Sequence, residues 1–308
     1  MQAEHMRIDV GGGRHTAVDL YRLAEVPERP VVAFAFPGGG YSRGYYDIRH
    51  DGDAYSQAAF HVARGWVVVT CDHLGVGDSD QPDPSTLTIE VLADANDATV
   101  RGVLAALDVI PGLVIGMGQS MGGCLSVVTQ ARQRTFDALA VLGYSAIHTQ
   151  MPSPAGRIEL SAVERGHIDV ADTDRTTAEI GGIDAFRWAF HADDTDPALV
   201  EADMVGGYPM RTTAPAWGSV SLPPAAVAMM TAGVIAAEAA LVDVPVFVGC
   251  GARDVVPDPR AEPAAYAASD DITVLVVPGM AHMHNFAPTR AQLWHRLHGW
   301  GESLREAK

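Results

Sequence analysis

Apolar residues along this chain fall into two alternating patterns, short continuous runs and longer stretches with helical spacing. The segments "MRIDV" (6–10) and "TAVDLYRL" (16–23) flank the turn "GGGRH" and predict an antiparallel pair of strands. "VVAFAF" (31–36) is apolar throughout, as in a strand covered on both faces, and stops at Pro37. "AYSQAAFHVARG" (54–65) predicts a helix that ends at Gly65. Buried strands are expected again at "WVVVTCD" (66–72), "GLVIGMG" (112–118) and "ALAVLGYS" (138–145). Between them, "TIEVLADANDATVRGVLAAL" (88–107) and "SMGGCLSVVTQARQ" (120–133) carry apolar residues at helical spacing. Strands that alternate with helices in this way predict a mostly parallel sheet with right-handed crossovers.

The alternation breaks near Ala146. Up to about Ala240 the chain is more polar, interrupted by proline and irregularly helical, with "DAFRWAFHADD" (184–194) and "APAWGSVSLPPAAVAMM" (214–230) inside it. Strand patterns return at "VPVFVGCG" (244–251) and "ITVLVVPG" (272–279), and "TRAQLWHRLHGWGESL" (289–304) closes the chain as an amphipathic helix. The expectation is one α/β domain built from residues 1–145 and 241–308, with 146–240 inserted as a helical cap. No internal repeat or low-complexity tract is visible.

Composition narrows the partners more than the fold. Of 308 residues, 48% are hydrophobic, enough for a sizeable core. No window reaches the roughly 18–20 apolar residues of a membrane span, and the polar start "MQAEHMRIDVGGGRHTAVDL" lacks the layout of a signal peptide. A soluble, cytoplasmic protein without a membrane partner is expected. A formal net charge of −17, with no basic block, argues against nucleic acid. Cys71, Cys124 and Cys250 are far apart in apolar surroundings, so neither a disulfide framework nor a zinc site is expected.

The densest chemistry lies at "GMGQSMGG" (116–123), where four glycines surround Ser120. Gly-x-Ser-x-Gly between a predicted strand and a predicted helix is a nucleophile elbow. The turn is tight enough that Gly118 and Gly122 must lack side chains, and it lifts the serine hydroxyl off the sheet at a helix N-terminus.

Four stretches in order, "FPGGGYS" (36–42), "DHLGVGDS" (72–79), "GMGQSMGG" and the pair "GCGARDVVPDP" (249–259) with "PGMAHMHNF" (278–286), make the chain resemble the α/β-hydrolases nearly end to end. The resemblance implies a mostly parallel eight-stranded sheet flanked by helices. It also implies an acid after a late strand, here Asp254, and a histidine after the last strand, here His282, both serving Ser120. Asp258 and His284 are the alternatives. The oxyanion donors implied are the amides of Met121 and of the glycine loop. Family members often have His-Gly where this chain has Pro37-Gly38, so the second donor is Gly39 or Gly40, with Gly39 preferred by position. "DHLGVGDS" is read as a structural turn, with no chemistry for Asp72 or His73. The insertion carries no family motif. Trp188, Trp217 and Met230, with Met229, are candidates for the substrate wall, and Arg43 for an anionic substrate group.

The function implied is a serine hydrolase that acts on a small or medium carboxylic ester through an acyl-enzyme, with no cofactor and no metal. A faint similarity to bacterial hydrolases of monoalkyl phthalates adds aromatic monoesters to the substrate options. Alternatives are a carbon–carbon bond hydrolase of ring-cleavage products, an acyltransferase or perhydrolase, and a non-catalytic binding protein of the same fold. A dehalogenase is disfavoured, because those carry aspartate at the elbow. The oligomeric state, with a homodimer among the options, is not legible.

Overall fold

The computed structural model describes residues 3–169 and 171–308. Its first two strands, β1 (Glu4–Asp9) and β2 (His15–Tyr21), form an antiparallel hairpin. Gly11, Gly12 and Gly13 all have positive φ in the turn between them, a conformation open to glycine and strained for other residues. Next come β3 (Val31–Phe36), β4 (Val67–Cys71), β5 (Leu113–Gln119) and β6 (Ala138–Leu142), buried at every position. A small hairpin, β7 (Met151–Ser153) and β8 (Gly156–Ile158), stands apart from the sheet. The main sheet is completed by β9 (Val246–Arg253) and β10 (Ile272–Ala281).

The eight strands lie in the order β1-β2-β4-β3-β5-β6-β9-β10. The β1–β2 and β2–β4 pairs are antiparallel and the others parallel. Alternate residues of each strand serve the two faces. Val32, Phe34 and Phe36 pack with Leu92, Val100, Leu125 and Val128, from α2 (Ile89–Ala106) and α3 (Met121–Gln133). Val31, Ala33 and Ala35 pack on the opposite face with Ala58, Val62, Leu293 and Leu297, from α1 (Gln57–Val62) and α9 (Arg290–Ala307). This two-sided burial explains why the strands read as unbroken apolar runs. Helix starts follow from capping: Ser56 accepts from the Ala59 amide and Thr88 from the Val91 amide.

Two of the boundaries that differ from expectation lie beside the candidate site. β6 ends at Leu142 instead of running to Ser145, because Gly143 adopts φ +58° and turns the chain beneath the candidate site. β10 continues to Ala281 through a register shift after Val277. All three cysteines are buried and free.

Between β6 and β9 the chain leaves the sheet for about a hundred residues. Besides the small hairpin, this excursion carries α4 (Ala171–Ile180), α5 (Ile183–Phe190), α6 (Pro197–Asp203), α7 (Ala225–Ala228) and α8 (Ala236–Leu241). Among the described residues, no helix is long and apolar enough to cross a membrane.

Candidate active site

Ser120 sits between β5 and α3 with φ +52° and ψ −116°, a backbone conformation that costs energy for any residue with a Cβ. The surroundings enforce it. A Cβ on Gly118 would collide with the Gly122 carbonyl, and one on Gly122 with the Phe36 carbonyl. Strand β5, helix α3 and the end of β3 therefore approach as closely as glycine allows. The Ser120 amide donates to Leu142 O at 2.8 Å, which ties the turn to β6.

His282 lies just past β10 with its ring between Ser120 and Asp254. Its Nδ1 is 2.7 Å from Asp254 Oδ1, and its Nε2 is 3.1 Å from Ser120 Oγ. An ionised carboxylate only accepts, so Nδ1–H donates to Asp254 and Nε2 is free to accept from the serine hydroxyl. The loop holding His282 is pinned from two sides. Gln119 Nε2 donates to His282 O at 3.1 Å, and the Met283 amide donates to Phe190 O at 2.9 Å.

Asp254 is 1% exposed and saturated with donors. Oδ1 also accepts from the Val255 amide at 2.7 Å. Oδ2 accepts from the Gly251 amide at 2.8 Å and from His284 Nε2 at 2.7 Å. Burial alone would raise its pKa, but the adjacent His284 and His282 rings and their hydrogen bonds hold the carboxyl well below the usual carboxylate range. Both histidines that the sequence offered thus reach the same acid, and only His282 reaches the serine as well. Asp258 is exposed and accepts from the Arg260 amide in its own turn, far from this cluster in role.

The glycine loop after β3 folds over the serine. Gly39, Ser120, Met121 and His282 all border one cavity of about 90 Å³. Among the described residues, the Gly39 and Met121 amides donate to no protein acceptor. The loop is held by contacts from the excursion: Tyr208 Oη donates to Gly39 O at 2.7 Å, and Gly40 O accepts from the Ser219 amide at 3.0 Å and from Arg211 Nε at 3.3 Å. Behind it, buried Asp203 accepts from Tyr41 Oη at 2.7 Å and from Trp217 Nε1 at 2.8 Å. No motif signals Tyr208 or Asp203, since both lie in the stretch of chain without periodic pattern.

The cavity wall is mainly apolar, with Ile180, Phe186, Phe190, Leu222, Val227 and Met230 among its members, and Met229 beside them. Among the described residues, no Asp, Glu, Lys or Arg lines it. Of the five side chains expected around the substrate, Met229 and Met230 are there and three are elsewhere. Trp217 is buried with its indole committed to Asp203. Trp188 stacks under the Arg253 guanidinium, 4.2 Å from ring centre to carbon. Arg43 points away from the cavity into an acidic group, pairing with Asp72, with Asp78 at 2.7 Å and with Asp19 at 3.0 Å. Three carboxylates surround its guanidinium outside the cavity, so the expected contact with an anionic substrate is corrected. Asp72 also accepts from the Arg43 and Asp78 amides, which makes "DHLGVGDS" a structural turn.

Among the described residues, His167, Asp169 and Asp172 bring three metal-ligand atoms within 4.8 Å of one another. They are outside the cavity, and Asp172 is already paired with Arg175 at 2.6 Å.

No protein-family model matches the chain, and no curated protein matches it. Solved structures do. A thermophilic esterase from Thermogutta terrifontis aligns with a TM-score of 0.66 at 16% identity, over 98% of this chain and 100% of that one. A proline iminopeptidase from Mycobacterium smegmatis gives 0.61 at 17% identity, over 99% of both chains. A haloalkane dehalogenase loop variant from Bradyrhizobium elkanii gives 0.59 at 18% identity, over 99% and 98%. The chain therefore has the α/β-hydrolase fold. Three chemistries share that fold at similar distance, so the reaction has to be argued from the site.

Proposed function

We propose that this protein is a serine hydrolase of small, uncharged carboxylic esters. The observation that carries the reading is the hydrogen-bonded chain Asp254–His282–Ser120 opening into a cavity with no ionised wall. Ser120 Oγ attacks the ester carbonyl carbon while His282 Nε2 takes its proton. Asp254 orients the ring and stabilises the imidazolium. The Gly39 and Met121 amides receive the negative charge that develops on the carbonyl oxygen. His282 then protonates the leaving alkoxide, and the alcohol departs. Water, deprotonated by the same ring, releases the acid from Ser120.

Size and polarity of the cavity set the substrate class. A cavity of about 90 Å³ suits a short acyl or alkyl group. An ionised substrate carboxylate would enter without a cation to meet it, at a cost of several kcal/mol. That weighs against monoalkyl phthalates, and equally against anionic ring-cleavage products. Residues 146–240 are read as a cap over the site, because they supply most of the apolar wall. A fluorophosphonate probe tests the core of the reading. It should label the wild type and leave Ser120→Ala unlabelled, and Ser120→Ala should lose at least about three powers of ten in p-nitrophenyl butyrate hydrolysis. Labelling of the folded variant, or activity within tenfold of wild type, would sink the assignment.

A further inference from the structure

The hydrogen-bonding groups around the cavity divide into those already engaged and those not. Tyr144 Oη donates to Met229 O at 2.9 Å, Tyr208 Oη to Gly39 O, and Thr177 Oγ1 to Thr173 O at 2.7 Å. Two of the remaining hydroxyls are themselves buried. Thr149 and Thr176 both line the cavity, are 6% and 4% exposed, and their Oγ1 atoms are buried without a hydrogen-bond partner among the described residues. They come from separate elements. Thr149 follows β6, where the Gln150 amide donates to Val255 O at 2.9 Å and places this stretch beside Asp254. Thr176 belongs to α4, whose cavity stripe is Thr173, Thr176, Thr177 and Ile180. That i, i+3, i+4, i+7 spacing marks the buried face of a helix, normally filled by aliphatic residues. Here three of its four positions carry hydroxyls. A buried hydroxyl without a partner is destabilising, and such groups are few in folded proteins unless a ligand or water uses them.

We propose that Thr149 and Thr176 are specificity-determining residues that hydrogen-bond an uncharged oxygen, a carbonyl or hydroxyl, carried by the substrate away from the scissile group. The class is set by the surroundings. A threonine hydroxyl both donates and accepts, and with no Asp, Glu, Lys or Arg on the wall a neutral partner is matched while an ion is not. The preferred substrate is then an oxygenated small ester rather than a plain alkyl ester. This proposal rests on the ester-hydrolase reading for its consequence in turnover, but the binding it describes does not need turnover.

The test therefore has a binding arm and a kinetic arm. Acetonylacetone and methyl butyl ketone have the same number of carbons and differ by one carbonyl oxygen. Calorimetry on the wild type should show acetonylacetone bound about tenfold tighter, the worth of one buried hydrogen bond. The T149V/T176V double variant keeps the volume and removes both hydroxyls, so it should bind the two ketones equally. It should melt no lower than the wild type, since no internal bond is lost. The T149S/T176S variant keeps the hydroxyls and should keep the preference. In parallel, the ratio of kcat/KM for p-nitrophenyl levulinate to that for p-nitrophenyl pentanoate should fall about tenfold in the valine variant. No preference in the wild type, or one that survives both valines, overturns the proposal. Equal loss of both ligands does so too. Preferential ketone binding without any ester turnover would instead refute the hydrolase reading and leave the subsite standing.

Discussion

His284 offers a perturbation whose size can be worked out, because it shares an acid with His282 and touches nothing on the serine. Its Nε2 donates to Asp254 Oδ2 at 2.7 Å, and both side chains are almost completely buried. A hydrogen bond to a buried charged group is worth about 1.5–3 kcal/mol. In His284→Leu, Asp254 keeps the Gly251 and Val255 amides and His282, so it remains oriented but less well compensated. We expect a loss of about 2 kcal/mol in stability at neutral pH and a fall in kcat/KM of about tenfold. His282→Ala removes the proton acceptor itself and should cost at least about three powers of ten, with little change in stability beyond the lost packing. The pH dependence separates the two further. Asp254 has its pKa depressed in the fold, so its contribution to stability is complete above the unfolded carboxylate value of about 3.9 and is lost as pH falls through the folded value. Removing His284 raises that folded value, so acid unfolding should begin at higher pH in His284→Leu. His284→Gln, which can still donate, should recover part of both effects. Urea unfolding and p-nitrophenyl butyrate kinetics on the same preparations measure all of this. A folded His284→Leu with no activity, beside a His282→Ala that retains it, would show that the roles of the two rings are reversed.

Two further outcomes follow from other contacts. Tyr208→Phe keeps the ring in the cavity wall and removes the bond to Gly39 O. As a positioning residue for the glycine loop, its loss should lower kcat about tenfold with KM nearly unchanged, because one oxyanion donor is displaced and not deleted; a change in KM alone would refute that role. Acid sensitivity should also appear in a milder range. Burial holds His61, His73 and His298 below the usual histidine value, His61 most fully. Their unfolded forms bind protons below about pH 6.5 where the folded forms do not, so stability is full above that pH and declines beneath it. Chemical denaturation at pH 7 and at pH 5.5 checks this, and constant or rising stability on acidification would contradict it.

The parts of this molecule that were legible in the sequence are those where local chemistry and burial agree. Continuous runs such as "VVAFAF" have both faces covered, so apolarity alone located β3, β4, β5 and β6 within a residue or two at most boundaries. The exception, β6, stops at Gly143, and nothing in "ALAVLGYS" distinguishes a strand glycine from one at φ +58°. Ser120, Asp254 and His282 were readable because each sits at the end of a strand, where chain order constrains what can meet. His284 was visible only as a rival, since two residues of separation do not reveal that one carboxylate offers two oxygens. The cavity wall was readable only in part from residue type: Met229 and Met230 line it. Trp188, Trp217 and Arg43 had suitable chemistry, yet each was already committed to a partner distant in sequence. Thr149 and Thr176 gave no signal, because their importance comes from the absence of partners.

The same contrast bears on how the excursion acts. A loose lid would touch the core through apolar contacts that slide. Here the excursion places three donors, Tyr208, Arg211 and the Ser219 amide, on the carbonyls of Gly39 and Gly40. It also buries Asp203 against Tyr41, the residue directly after those glycines. Gly40 needs its positive φ of 78°, and a Cβ there would collide with the Tyr208 ring. The glycine loop has in these contacts a fixed outer wall. The loop begins Pro37-Gly38, and Pro37 has no amide hydrogen to donate. In this chain the orientation of the Gly39 peptide is therefore set from the excursion side. On the proposed reading, Tyr208 belongs both to the cavity wall and to the support of an oxyanion donor, so changes to the excursion should move kcat as readily as KM.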